Sequence, residues 1–286
     1  MTKSELNKAN ADYWNELCGT TWAKKLGIVD HSNESLSKFD QAFFERYPYL
    51  FKYLDFSKMK EKKIMEVGLG YGTVGQAIAE AGADYTGLDI AEGPVKMMNH
   101  RLRLKGLSGK AFVGSMLECP METDSLDIVV SIGCFHHTGN VQKCIDETYR
   151  ILKPGGQAII MVYNAYSYRQ WIMWPQQTFN IFFREVFNDS NNIKSTESQR
   201  RAYDSNSMNE AAPETVFLSI KKLKKMFDKF SMVGCEKENF ANIPLLPDFL
   251  FYRPSSVFNK FFIPRRKLLN NLGKICGEDI YVKVTK

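Results

Sequence analysis

The sequence predicts an α/β fold: a doubly wound, mostly parallel sheet of seven strands with helical, aromatic-rich caps. Three observations predict it. Strand and helix signals alternate from residue 62 to 163, the rhythm of strands joined by crossover helices. The strand candidates are short, apolar and not cleanly alternating, as strands covered on both faces are. The first of them runs directly into three closely spaced glycines and then a helix, with Gly68, Gly70 and Gly72 followed by Thr73 to Ala79.

The elements follow in chain order. Residues 1–60 read as an N-terminal helical cap. Phe39, Phe43, Phe44 and Tyr47 share one helix face, and Pro48 splits the pattern into two short helices. The core spans 61–163, with strands at 63–67, 85–89, 111–113, 126–132 and 157–163 and helices at 73–81, 93–104 and 141–152. Residues 164–215 break the rhythm and read as a lid insertion. Its aromatic part (Tyr166, Tyr168, Trp171, Trp174, Phe179, Phe182, Phe183, Phe187) leads into a tract of Asn, Ser, Asp and Glu. The remainder, 216–286, holds a basic amphipathic helix at 216–230, strands near 231–238 and 279–284, and an aromatic and basic insertion at 241–272.

The bulk properties narrow the class. The 286 residues are 44% hydrophobic, enough for one sizeable core with a cap. No run approaches the roughly 18 apolar residues of a membrane span. The first residues carry no apolar core of a secretory leader, which predicts a cytoplasmic protein. The six cysteines are scattered and form no C-x-x-C pair, so neither a zinc site nor a disulfide framework is expected. No D-x-D and no His/carboxylate cluster at ligand spacing stands out, so no metal is expected. The net charge of +6 is concentrated after Ser219, where 14 Lys/Arg face 6 Asp/Glu. That surface is either a set of solvated helix faces or one that meets an anionic substrate, a lipid headgroup or nucleic acid.

The glycine turn carries the chemistry. Glycine serves there because the loop turns tightly and a ligand approaches bare backbone. Two frames fit. One begins at Gly68, directly after Val67, the last apolar residue of the strand. The other, Gly70-x-Gly72-x-x-Gly75, is the dinucleotide fingerprint. The strand boundary favours the first. Asp89, 21 residues after Gly68 at the end of the second strand, is placed to accept from two ribose hydroxyls. The alternative is a cap for the next helix. Glu66 is either part of the site or an exposed strand-end acid.

Four blocks together resemble a known family. They are Glu66-Val67-Gly68-x-Gly70-x-Gly72, Gly87-Leu88-Asp89-Ile90, Ser131-Ile132-Gly133-Cys134-Phe135-His136-His137-Thr138, and Glu147 through Lys153-Pro154-Gly155-Gly156. In order and spacing they resemble class I S-adenosylmethionine-dependent methyltransferases, most closely the bacterial group that includes ubiquinone and menaquinone C-methyltransferases. The resemblance covers about 62–163, and weakly 216–238 and 275–285. It implies a Rossmann-like fold with S-adenosyl-L-methionine as cofactor. Backbone at Gly68, Gly70 and Gly72 then lies against the cofactor, with Glu66 orienting the loop or its ammonium and Asp89 and Ile90 at the ribose. Ser115, Met116 and Leu117 fall at the adenine, and Ile132 and Gly133 at the amino-acid end. Ser115 stands where the family carries an aspartate. Tyr13 and Trp14 are placed to close over the cofactor.

Methyl transfer from a sulfonium mainly requires alignment, and a base only when the acceptor must lose a proton. His136, His137 and Tyr163 are the candidates for such a group. The acceptor is expected beyond the carboxyl ends of the strands, in an enclosed apolar pocket built from the cap and insertions, touching Asn164, Tyr166, Trp171 and Arg253. A small, partly apolar acceptor is expected, anionic or amphiphilic, with Arg253, Arg265 or Arg266 meeting its charge and peripheral membrane contact compatible with it. The competing readings are a nucleic-acid methyltransferase or binder using the basic C-terminal third, and an NAD(P)-dependent oxidoreductase using the second glycine frame.

Overall fold

A computed structural model describes residues 2–187, 194–240 and 265–286, with side chains from residue 269 onward in the last stretch. Arg253 lies outside the described residues, as do the side chains of Arg265 and Arg266 and most of the 241–272 insertion.

The first segment folds as α1 (Lys3–Tyr13), α2 (Thr20–Lys25), α3 (Asn33–Arg46) and α4 (Leu50–Tyr53). Thr2 and Glu5 form a reciprocal capping box at the start of α1, and Ser32 caps α3. The break between α3 and α4 falls at the expected proline. The core alternates β1 (Lys63–Val67), α5 (Thr73–Glu80), β2 (Asp84–Asp89), α6 (Glu92–Lys105), β3 (Lys110–Val113), β4 (Leu126–Ile132), α7 (Val141–Ile151) and β5 (Leu152–Tyr163). Then come α8 (Tyr168–Met173), α9 (Pro175–Val186), α10 (Glu197–Tyr203), α11 (Ile220–Met226), β6 (Ser231–Glu238), α12 (Arg265–Cys276) and β7 (Asp279–Thr285).

The seven strands form one sheet in the order β3-β2-β1-β4-β5-β7-β6. The first five are parallel, and β7 pairs antiparallel with both β5 and β6. The strand order reverses between β1 and β4, the place where ligands enter open α/β sheets.

Both faces of the sheet are covered. Met65, Val129 and Ile160 point to one side with Ile145 of α7 and Leu223 of α11. Their neighbours Ile64, Val130 and Ile159 point to the other with Ile78 of α5 and Met98 of α6. This period-two division between two cores is why the strands read as continuous apolar runs.

Two expectations shift. The amphipathic pattern at 216–230 yields a shorter helix because the residues before it are drawn into extended pairing beside β5. Leu218 N–H donates to Tyr163 O at 2.9 Å, and Ala165 N–H to Leu218 O at 2.9 Å. The Lys-Pro-Gly-Gly turn lies within β5: the register against β4 jumps between Leu126/Leu152 and Ile128/Gln157. Gly155 takes a φ of +79° there, and its N–H donates to Lys286 O at 2.9 Å.

One buried network joins the cap to the core. The fully buried Arg101 donates to Asp40 of α3 (2.8 and 3.0 Å), to Gln76 of α5 (2.7 Å) and to the Tyr71 carbonyl (2.7 Å). Its cationic donors are satisfied on all sides, as a buried guanidinium requires.

Candidate active site

A cavity of about 530 Å³ opens along the β1/β4 switch point. Val67, Gly68, Leu69, Gly70 and Tyr71 line it, with Glu66, Asp89 and Ile90, and with Ser115, Met116, Ile132 and Gly133 from the ends of the neighbouring strands.

The three glycines play different parts. A Cβ on Gly68 would lie 2.5 Å from Cys134 Cβ, so this backbone packs against the β4 turn. Among the described residues, a Cβ on Gly70 would meet only Cys18 Cβ, at 3.6 Å, leaving bare backbone toward the cavity. Gly72 does not line the cavity. It caps α5 in the left-handed region at φ +81°, and a side chain there would strike Arg101 at 2.7 Å. The structure gives it a packing role. Gly75, from the second frame, has the Glu66 carboxyl and the Tyr85 hydroxyl where its Cβ would be, both at 2.4 Å, so it serves helix-on-strand packing.

Glu66 is buried and accepts from the Tyr85 hydroxyl at 2.6 Å, which rules out an exposed strand-end acid. Asp89 accepts from Leu69 N–H at 2.8 Å and from Ala91 N–H at 3.0 Å. It thus braces the glycine loop while lining the cavity. The backbone of Ala91 caps α6. Burial pushes Asp89 up to about 6, against the pull of the amides that bond it. Burial likewise pushes Glu66 up to about 8. An unfolded glutamate loses its proton first as pH rises, so the stability tied to Glu66 declines between its ordinary value and about 8. Glu66→Gln keeps an acceptor for Tyr85 without that ionisation. Melting of the cofactor-free protein should therefore favour the variant increasingly from about pH 5 to about pH 8, by on the order of a few degrees. A gap that does not change with pH would show Glu66 ionised in both states.

Ser115 lines the cavity and accepts from Leu117 N–H at 3.2 Å, closing a one-turn helix. Met116 lines the cavity, whereas Leu117 is buried in the core beneath it.

Of the histidines, only His137 lines the cavity. His136 is fully buried, and among the described residues neither of its ring nitrogens has a hydrogen-bond partner. Burial holds it neutral, and its ring packs 4.1 Å from Tyr163. It packs against His137 and Tyr163 and does not line the cavity. His137 Nδ1 lies 2.7 Å from Glu214 O, which fixes the hydrogen on Nδ1 in the neutral ring and leaves Nε2 as an acceptor. Nε2 faces Asp204 Oδ2 at 3.6 Å, an ion pair only when the ring is protonated. The other carboxylate oxygen, Oδ1, accepts from the Tyr163 hydroxyl at 2.9 Å. Oδ2 is buried with no hydrogen-bond donor. Burial raises Asp204 above the ordinary carboxylate range. It also holds Tyr163 protonated, well above the usual phenol value.

Asp204 is the residue the sequence did not reveal. It sits just after α10 in a polar tract without periodicity, and only folding brings it to His137 and Tyr163. Tyr13, expected over the cofactor, instead donates to the carbonyls of Asp204 (2.9 Å) and Glu210 (3.2 Å). It does not line this cavity; Trp14 beside it does, 4.9 Å from the His137 ring.

The expected acceptor contacts are also redistributed. Asn164 is buried and spent on structure, donating to Gly277 O at 2.8 Å and accepting from Tyr166 N–H at 3.0 Å. The Tyr166 hydroxyl donates to Glu185, and Trp171 packs edge-on against Phe179. None of the three lines the cavity. Its aromatic wall comes from Trp14, Trp22, Phe39, Phe43, Tyr47, Tyr163 and Tyr203. Arg46, whose guanidinium lies 5.4 Å from the Trp22 ring centre, and Arg169 bring positive charge to it.

A protein family described as a methyltransferase domain matches residues 65–160, the span that supplies the glycine loop, Asp89 and the β4 turn. This span is a methyltransferase domain. It is of the class I, S-adenosylmethionine-dependent type, and S-adenosylmethionine is its cofactor. Over 110 residues the chain is 29% identical to the ubiquinone biosynthesis O-methyltransferase of Pseudomonas entomophila, covering 36% of this chain and 45% of that one. Over 98 residues it is 34% identical to the phthiotriol/phenolphthiotriol dimycocerosates methyltransferase of Mycobacterium leprae, 33% of this chain and 35% of that one. The chain thus spans less than half the length of these curated relatives. A solved S-adenosylmethionine dependent methyltransferase from Mesorhizobium loti superposes with a TM-score of 0.55 at 15% identity, covering 84% of this chain and 97% of that one. At that identity the likeness speaks for the fold. The methyltransferase domain of this chain fits its cofactor on local grounds too: Gly70 offers bare backbone, and a carboxylate stands at the end of β2.

Proposed function

We propose that this protein transfers a methyl group from S-adenosylmethionine to a small, partly apolar acceptor that carries an O–H or N–H group. The displacement is in-line and uses no metal. Bound S-adenosylmethionine supplies a methyl group on a sulfonium, with a neutral thioether as leaving group. The chain's own residues then have to hold the acceptor in line and take its proton.

One observation carries the reading. The same cavity is lined by the glycine loop with Asp89 and by His137 and Asp204, whose Nε2 and buried Oδ2 face each other 3.6 Å apart, with no donor on that carboxylate oxygen among the described residues. An acceptor's O–H or N–H satisfies that pair and gives up its proton there as its lone pair bonds the methyl carbon. Tyr163 holds the carboxylate in place through Oδ1. The aromatic wall supports an apolar acceptor body, as do relatives named for ubiquinone, demethylmenaquinone and squalene. The cytoplasmic setting belongs to the same proposal; among the described residues, no helix is long and apolar enough to cross a membrane.

Calorimetric titration with S-adenosylmethionine, NAD and NADP tests the cofactor, and transfer of labelled methyl into a cell extract tests the reaction. S-adenosylmethionine alone should bind, and label should enter the lipophilic fraction. Binding of NAD or NADP in its place would overturn the reading in favour of an oxidoreductase.

A further inference from the structure

Helix α9 is amphipathic in the wrong direction for a helix that serves only to pack. Its inward side carries polar side chains beside Ile181. Thr178 is fully buried, its hydroxyl donating to the carbonyls of Gln170 (3.0 Å) and Trp174 (2.8 Å). Glu185 accepts from the hydroxyls of Tyr166 and Ser219. Its outward side is apolar. Phe179, Phe182, Phe183 and Val186 follow the i, i+3, i+4, i+7 spacing of one helix face, with Phe187 just beyond, and their exposures run from 44% to 77%. Most surface helices bury such a stripe.

Two further observations say what covers it. The patch continues onto α8, where Ile172 and Met173 are half exposed and also line the active-site cavity. The apolar surface therefore reaches the cavity mouth. At its other side lies α11, which carries Lys221, Lys222, Lys224 and Lys225 and no acid. Lys221 Nζ reaches Glu185 O at 3.1 Å, and Lys221, Lys224 and Lys225 are exposed. Phenylalanines bordered by lysines match the interface of a bilayer with anionic headgroups. A second copy would set the same basic border against its own image across a two-fold axis, whereas anionic lipid neutralises it.

We propose that the outward face of α8 and α9, with the lysines of α11, seats this protein on an anionic lipid bilayer, with the cavity mouth against the surface. Amphiphilic molecules dissolved in the membrane then have a route into the cavity without crossing water. Only that purpose rests on the methyltransferase reading; the docking itself does not.

Flotation with phosphatidylcholine vesicles, with and without phosphatidylglycerol, tests it. The full chain should float with the anionic vesicles, less at high salt, and not with phosphatidylcholine alone. Phe179→Glu with Phe183→Glu should weaken vesicle affinity on the order of tenfold or more, while Phe179→Leu with Phe183→Leu retains it. Because these side chains are exposed, melting temperature and S-adenosylmethionine affinity should not change; loss of cofactor binding in the wild type would count against the methyltransferase reading alone. Three results would overturn the docking: no flotation with either vesicle, equal flotation of the glutamate variant, or a solution dimer that the glutamate variant dissociates.

Discussion

Asp89→Ala is expected to reduce the affinity for S-adenosylmethionine by at least about a hundredfold. Two contributions combine. A carboxylate that accepts from two hydroxyls makes two charge-assisted hydrogen bonds, each worth about 1.5–3 kcal/mol. The same carboxylate holds Leu69 N–H within the glycine loop and Ala91 N–H at the start of α6. Alanine therefore also frees the loop backbone that lines the cavity. Asp89→Asn separates the two effects. Its amide oxygen can still accept from one loop N–H, but the second position becomes a donor and loses the charge. Calorimetry should place it between wild type and alanine. Affinity unchanged in Asp89→Ala would remove this residue from the site.

Asp204→Asn is expected to lower kcat by about a hundredfold or more, within the range that proton transfer by a positioned side chain contributes, and to leave cofactor affinity intact. The pH profile is the sharper readout. Several groups face Asp204: His137 across 3.6 Å, the Tyr163 hydroxyl, the positive charge of Arg169, and the Tyr13 hydroxyl on its backbone carbonyl. Burial outweighs the pull of His137, Tyr163 and Arg169, so Asp204 loses its proton at a higher pH than an ordinary carboxyl. A base must be deprotonated to work. The wild-type rate should rise with pH through that ionisation and then level off, and the asparagine variant should lose that limb. If kcat falls but the limb stays, Asp204 positions the acceptor and another group takes the proton. An unchanged kcat would point to an acceptor that keeps its proton.

The candidate residues that local sequence fixes could be named from the sequence, and the structure gathers several of them around one cavity. Gly68 and Gly70 announce themselves because a turn and a bare cavity floor admit no side chain, and Asp89 because strand length sets its distance from them. His137 was legible as a candidate but not distinguishable from His136. One residue of chain puts the first ring into the core and the second into the cavity, and neighbouring sequence carries no trace of that. Asp204 left no signal because its partners lie 67 and 41 residues away. The aromatics of 164–187 misled for a related reason. A phenylalanine stripe gives the period of a helix but not which way the stripe faces, and here buried Thr178 and half-buried Glu185 turn it outward. For Gly72 the neighbour that excludes a side chain, Arg101, lies 29 residues away and left no local signal.

The placement of β7 has a kinetic meaning. It fills the gap between β5 and β6, so, among the described residues, β5 keeps an open edge and β6 has no strand partner until β7 has been made. The five parallel strands can assemble first by short crossovers, but the sheet closes only after contacts spanning the whole 164–278 stretch are in place. Such late, non-local pairing slows folding. Meanwhile the apolar edge of β5, Ala158 to Val162, is a template for pairing with another chain. The strand that completes the sheet is therefore also the one that ends the period in which this protein is prone to aggregate.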